Sequence, residues 1–274
     1  MLLVAILIGT LVAGIGSVWL AAVLSFGALA RYTQHMLSLA AGALMATAFL
    51  HLLPEAFESQ ASAHDLFLTL LLGLVFFFLL DKAELWHHGH EHHHDHHNHS
   101  DHEHAAHHSH GHTAAHIHEH ATPQPGSWAI LTGDSVHCFG DGILIASAFM
   151  ADMRLGAIAA LAVLAHEVPH HMGDLMVLRG GSSNKRMALV KVSLAGAVTA
   201  LGGMAGYWLV DLLHDYLPYF LVVASSSFVY VALADLIPQL QKRLTLRETL
   251  AQITWLVVGI GMVTLLSGMA HSGH

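Results

Sequence analysis

Four side chains that donate lone pairs, Asp134, His137, Cys138 and Asp141, fall within an otherwise uncharged run of this 274-residue chain. Offsets of three and four place Asp134, His137 and Asp141 on one face of a helix. Further along, His166, Glu167, His170, His171 and Asp174 make two overlapping ladders, His166 with His170 and Glu167 with His171 and Asp174. Imidazole beside carboxylate suits a borderline divalent cation such as Zn²⁺ or Fe²⁺ better than Na⁺ or Ca²⁺, which prefer shells made wholly of oxygen. For one such histidine alone, a satisfied hydrogen bond between helices would be explanation enough. For the whole constellation it would not, and a proton relay would not need so many ligands.

The elements that position these residues follow from composition. Hydrophobic residues make up 54% of the chain and charged residues 11%, with mean hydropathy +0.56, against about 25% charged in a soluble domain. Eight stretches are long enough to cross roughly 30 Å of hydrocarbon, at about 2–26, 36–55, 64–86, 127–150, 155–178, 187–210, 219–240 and 249–270. The first has neither the basic start nor the small-residue cleavage site of a signal peptide and reads as a retained span. The expected fold is therefore all-α, a polytopic membrane protein of eight transmembrane helices. It divides into spans 1–3 (residues 1–86), a loop (87–126) and spans 4–8 (127–274), which together form one transmembrane domain. At this depth an ionisable side chain is costly unless it serves a pathway or a site. Pro169, within the second ladder, should kink its helix and uncover a backbone carbonyl, and Gly140, Gly142 and Gly173 should let helices approach closely.

Nine of the ten Lys and Arg residues fall on one side of such a fold, and only Arg154 on the other, where Glu55, Glu58, Asp65, Asp152, Asp211 and Asp215 gather. The positive-inside rule then puts both termini outside the cytosol, in a plasma or inner membrane. The loop becomes cytosolic. Its stretch 87–120 holds 18 of the 28 histidines, among them His92, His93, His94, His96, His97 and His99, interspersed with acids. Such a segment has little apolar surface with which to offset the entropy of ordering, and its neutral imidazoles suit zinc, nickel or copper. It reads as a metal buffer or sensor. Cys138, the single cysteine, excludes an intramolecular disulfide and counts instead as a ligand candidate. No basic stripe suggests nucleic acid, and nothing suggests an organic cofactor.

Two similar phrases end the second and seventh spans, His51-Leu52-Leu53-Pro54-Glu55 and Asp235-Leu236-Ile237-Pro238-Gln239, on helices that run in opposite directions. They hint at an inverted repeat, a 3+2+3 arrangement with spans 1–3 and 6–8 around spans 4–5. On that arrangement His51 guards the outer mouth and Asp235 the cytosolic one, with Met45 a soft contact and Asp134 on the pathway between.

The chain resembles the ZIP (Zrt/Irt-like) family of metal transporters, nearest its LIV-1 branch, over essentially its whole length. The family's span 4 pattern His-Asn-x-x-Asp-Gly is matched by His137-Cys138-Phe139-Gly140-Asp141-Gly142, and the branch's span 5 pattern His-Glu-x-Pro-His-Glu-x-Gly-Asp by His166-Glu167-Val168-Pro169-His170-His171-Met172-Gly173-Asp174. The resemblance implies one metal site of His137, Asp141 and His170, and a second that includes Cys138, His166 and Glu167. It also implies Asp235 on the way to the cytosol, ATP-independent import of zinc, with iron, cadmium or manganese as alternatives, and pairing as a homodimer. Two departures, Cys138 for Asn and His171 for Glu, make the ligand set softer.

A rival from another class is an intramembrane zinc metalloprotease, because His166-Glu167-Val168-Pro169-His170 satisfies His-Glu-x-x-His with Glu as general base. The internal proline and the second ligand set at His137 and Asp141 suit passage better than hydrolysis. A cation-diffusion exporter, expected to have six spans and a cytosolic C-terminal domain, fits the chain less well.

Imidazole binds metal only when unprotonated, so protons compete with the ion as pH falls through the histidine range of about 6.5. Metal uptake is expected to decline between about pH 7.5 and 5.5, measured as initial rate at fixed free metal. A flat profile would count against histidine as an obligatory ligand.

Overall fold

The computed structural model describes residues 1–25, 33–89, 126–180, 185–240 and 245–271. They are helical almost throughout and contain no strand, as expected where backbone groups in lipid must be satisfied within their own segment. The first rod consists of α1 (Leu2–Leu11), a π-helical turn (Val12–Gly16) and α2 (Ser17–Ser25). The second consists of α3 (Thr33–Thr47), a π-helical turn (Ala48–Leu52) and α4 (Leu53–Phe57). Then come α5 (Ala63–Gly89), α6 (Gly126–Ala151), α7 (Met153–Gly180), α8 (Lys185–Leu212), α9 (Leu217–Leu240) and α10 (Leu246–His271).

Among the described residues, six stretches are long and apolar enough to cross a membrane: Leu2–Leu24, His35–Phe57, Ala63–Leu80, Arg186–Leu212, His214–Ala234 and Leu246–Gly268. α6 and α7 are as long, with 26 and 28 residues, but carry the ligand candidates and fall outside that set. The rods begin and end within a few residues of the stretches read from hydropathy. The two π turns were not legible there. The second ends two residues before Pro54, which has no N–H to donate and crowds the carbonyl four residues back, within the turn, so a wider turn accommodates it. α7 is continuous through Pro169.

Local signals set the helix ends. Asp152 is the one non-helical residue between α6 and α7, and its Oδ1 accepts from the backbone N–H of Arg154 at 2.8 Å and of Leu155 at 3.2 Å, an N-cap for α7. Before α10, Glu248 Oε2 accepts from the Thr245 backbone N–H at 2.8 Å while Thr245 Oγ1 accepts from the Glu248 N–H at 3.4 Å, a capping box.

By contact the rods form two bundles. The first rod packs with α6, α7 and α8, and the second with α5, α9 and α10, the two bundles meeting mainly along α3 and α7. The division by packing therefore differs from the chain-order division into spans 1–3, 4–5 and 6–8. Much of the core is alanine, including Ala13, Ala41, Ala48, Ala146, Ala148 and Ala224, which lets helices approach where lipid supplies no hydrophobic drive for association. Large apolar side chains of α5, Phe67, Leu71, Leu72, Phe76 and Leu79, point outward instead.

α6 lies tightly along α8. A Cβ on Gly142 would strike the Thr199 carbonyl oxygen, and one on Gly202 the Phe139 carbonyl oxygen. Gly140 and Gly173, expected to serve the same purpose, have no described residue within 4 Å of where a Cβ would stand and face open space. Gly142→Ala is expected to destabilise the protein by about 1–3 kcal/mol through overpacking, read as a lower melting temperature in detergent. Gly140→Ala and Gly173→Ala should leave it unchanged or slightly higher, because alanine is the better helix former.

Candidate metal centre

The ligand candidates of α6 and α7 converge where the two helices pack. Asp141 lies eleven residues before the turn at Asp152 and His166 fourteen after it, distances of about 16 and 21 Å along a helix, so both come to similar depth. Asp141, His166, Glu167 and His171 are all buried.

Two groups of donor atoms form there, each with every atom within 4.8 Å of the others: His137, Asp141, His166 and Glu167, and Asp134, Cys138, Glu167 and His171. In the first, His137 Nε2 stands 3.4 Å from His166 Nε2, 3.3 Å from Glu167 Oε1 and 3.8 Å from Asp141 Oδ2. His166 Nε2 stands 3.2 Å from Asp141 Oδ2 and 3.4 Å from Glu167 Oε1. Ligands about 2.0–2.1 Å from a tetrahedral Zn²⁺ lie roughly 3.3–3.4 Å from one another. Four of these five separations fall within 0.1 Å of that range. The second group is wider: His171 Nε2 is 3.1 Å from Glu167 Oε2 and 3.8 Å from Asp134 Oδ1, while Cys138 Sγ is 3.8 Å from Asp134 Oδ1 and 4.0 Å from Glu167 Oε2.

Glu167 belongs to both groups, with Oε1 toward the first and Oε2 toward the second. Asp141 Oδ2, Glu167 Oε1 and His171 Nε2 are buried without a hydrogen bond of good geometry to any described residue. Buried polar atoms normally find partners, and imidazole and carboxylate atoms that converge this closely suit a shared cation.

The donor nitrogens are also oriented from behind. His166 Nδ1 lies 3.4 Å from the Ala162 carbonyl oxygen, and His171 Nδ1 lies 2.9 Å from Ser17 Oγ on α2. Outer contacts of this kind fix which nitrogen of a ligating histidine is free for the metal. Ser17 carried no signal in the sequence, where it is one serine in an apolar run.

His170 is not in either group. Its ring stacks on that of His137 with centroids 5.7 Å apart and meets that of His166 edge-on at 6.0 Å, and it is exposed. His137 keeps 28% of its side chain accessible, so the first group has its open side toward His170. Asp134, read from the sequence as a pathway residue, stands in the second group. Asp174 lies one turn beyond His171, half-buried and in neither group.

Away from the centre, His51 sits in the π turn before Pro54 and lines a cavity of about 460 Å³ with Glu55, Glu58, Asp152 and Arg154. Met45, also on the second rod, is half-buried against the core. Asp235 lies near the end of α9. His92, His93, His94, His96, His97 and His99 lie outside the described residues.

A family model described as ZIP Zinc transporter matches residues 1–267. The chain belongs to the ZIP zinc transporter family. Among curated relatives it is 26% identical to zinc transporter ZIP13 of Pongo abelii over 288 residues, covering 95% of this chain and 77% of that protein. It is 33% identical to human zinc transporter ZIP4 over 136 residues, covering 50% of this chain and 20% of that one. To zinc transporter foi of Drosophila melanogaster it is 30% identical over 152 residues, covering 54% of this chain and 21% of that protein. The match thus spans only about a fifth of the length of the ZIP4 and foi relatives. As a ZIP family member with an apolar helical bundle, the chain is an integral membrane protein, and its buried His and carboxylate cluster fits a metal site.

Because Glu167 faces both groups, Glu167→Gln is expected to weaken zinc binding at both, each by at least about tenfold, in equilibrium dialysis of the purified protein. His171→Ala should weaken only the second. Equal losses for the two variants would refute the separate use of the two carboxylate oxygens.

Proposed function

We propose that this chain carries zinc into the cytosol, passing the ion between α6 and α7 through the two groups joined by Glu167. The carrying observation is that four of the first group's ligand separations lie at 3.2–3.4 Å, which suits tetrahedral Zn²⁺. The metal is substrate rather than resident cofactor, with iron, cadmium and manganese as further candidates. Eight helices cross the bilayer, α6 and α7 among them, shielded from lipid by their neighbours on the ligand-bearing faces.

Direction follows from charge. Nine of ten Lys and Arg on one side put that side in the cytosol, together with residues 87–126 and their histidines, and leave both termini outside. The ion enters by the cavity at His51, where Glu55, Glu58 and Asp152 attract cations. It binds first where imidazole and carboxylate are closest, and leaves past His170 and Asp235 toward the His-rich segment, His92–His94, His96, His97 and His99 included. One bundle rocking on the other along α3 and α7 gives alternating access. Cys138 and His171 make the second group the softer one, favouring zinc or cadmium over manganese. Pairing as a homodimer is the family-based expectation.

The protease alternative needs Glu167 as a free general base for water. Both of its oxygens face histidine nitrogens of the cluster, the setting of a ligand, which supports transport.

Native protein in vesicles loaded with a chelating dye is expected to take up zinc without ATP, with vesicle sidedness checked. His137→Ala and Glu167→Ala, folded by melting temperature, should each lose most of that flux. His170→Ala should retain more of it than either. A native protein that conducts no zinc would overturn the proposal, and peptide hydrolysis would then be the assay to run.

A further inference from the structure

Ser17 lies wholly buried at the start of α2, directly after the π turn Val12–Gly16. Its Oγ makes two contacts, 2.5 Å to the Gly14 carbonyl oxygen and 2.9 Å to His171 Nδ1. A serine hydroxyl has one hydrogen to donate and lone pairs to accept with. A carbonyl oxygen can only accept, so the hydrogen goes to Gly14 and the contact with His171 must run the other way, Nδ1–H donating to Ser17 Oγ. In the neutral imidazole Nε2 is then left with its lone pair. That lone pair faces the second group, 3.1 Å from Glu167 Oε2, and Nε2 is among the buried atoms without a hydrogen bond to any described residue.

The backbone holds Ser17 in place. The π turn and α8 meet at glycine, where a Cβ on Gly14 would strike the Gly196 carbonyl oxygen, so the turn that supplies Ser17's acceptor is pressed against a neighbouring helix. Wider turns of this kind often occur at functional sites.

We infer that Ser17 is a positioning residue for metal binding, holding His171 in the Nδ1–H tautomer so that Nε2 is the ligand of the second group. The inference rests on the second group being a metal site. It explains how a histidine can stand there: an imidazole free to turn or change tautomer would at times present N–H to the ion, whereas a carboxylate would need no such support.

The test uses the full chain in lipid nanodiscs with nitrogen-15 histidine, His171 being assigned by the signal that His171→Gln removes. With cadmium bound, native protein should show a protonated, pyrrole-type Nδ1 and a metal-coordinated Nε2 for His171, and Ser17→Ala should mix coordination through the two nitrogens. Cadmium or zinc affinity of the second group should fall roughly tenfold in Ser17→Ala, as for other outer contacts to ligating histidines. Ser17→Thr, which keeps the hydroxyl, should restore it. On a His171→Ala background Ser17→Ala should cause no further loss. Cadmium on Nδ1 of His171 in the native protein overturns the inference, as does an equal loss on the His171→Ala background. Should Ser17→Ala fail to fold, the native tautomer decides alone. These readouts involve no flux, so a protein that moves no zinc would refute the transport reading while leaving the Ser17 contact to be judged separately.

Discussion

A carboxylate between histidines inside an apolar bundle is the arrangement on which the rest of this structure depends. Glu167 and its neighbours are buried where a lone charge is very costly and where only pairing, hydrogen bonding or a bound ion offsets that cost. The offset requires α6 and α7 to be held at one depth, α8 to be pressed against α6, and α2 to reach behind His171. Glycines make the close approaches to α8: Gly142 and Gly202 between α6 and α8, Gly14 and Gly196 between the first rod and α8. Polar cluster and glycine contacts thus belong to one design, in which close backbone approach brings ligands from separate helices within reach of one ion.

The two bundles divide the labour. The bundle of the first rod, α6, α7 and α8 carries the ligand groups, while the bundle of the second rod, α5, α9 and α10 turns much of its apolar surface outward. His51 belongs to the second bundle and Asp152 to the first, yet both line the same cavity of about 460 Å³, so that cavity lies across the line along which the bundles meet.

Most of the helical layout was legible in the sequence because apolar length and the scarcity of charge are sufficient signals in lipid. The face-by-face spacing of Asp134, His137 and Asp141, and of Glu167 and His171, was legible for the same reason, since helical geometry is fixed. What spacing could not show is which atoms meet across helices. His170, in step with His166 along α7, lies on the open side, and Asp134 joins the second group instead of standing apart. Gly140 and Gly173 face open space because a glycine records only that a side chain is missing. The π turns and Ser17 were invisible for a related reason: both depend on the partner helix, and no local pattern encodes it.

Asp152 alone separates α6 from α7, and this makes the connection between them a ruler. One residue added to that turn would move α7 along its axis by about 1.5 Å and rotate it by about 100°, enough to carry His166 and Glu167 away from His137 and Asp141. Length at this turn is therefore constrained as strictly as the identity of the ligands themselves, although the turn lies about 16 Å from Asp141. Chains descended from a common ancestor with this one would be expected to tolerate changes of residue at the turn far more readily than changes in the number of residues there.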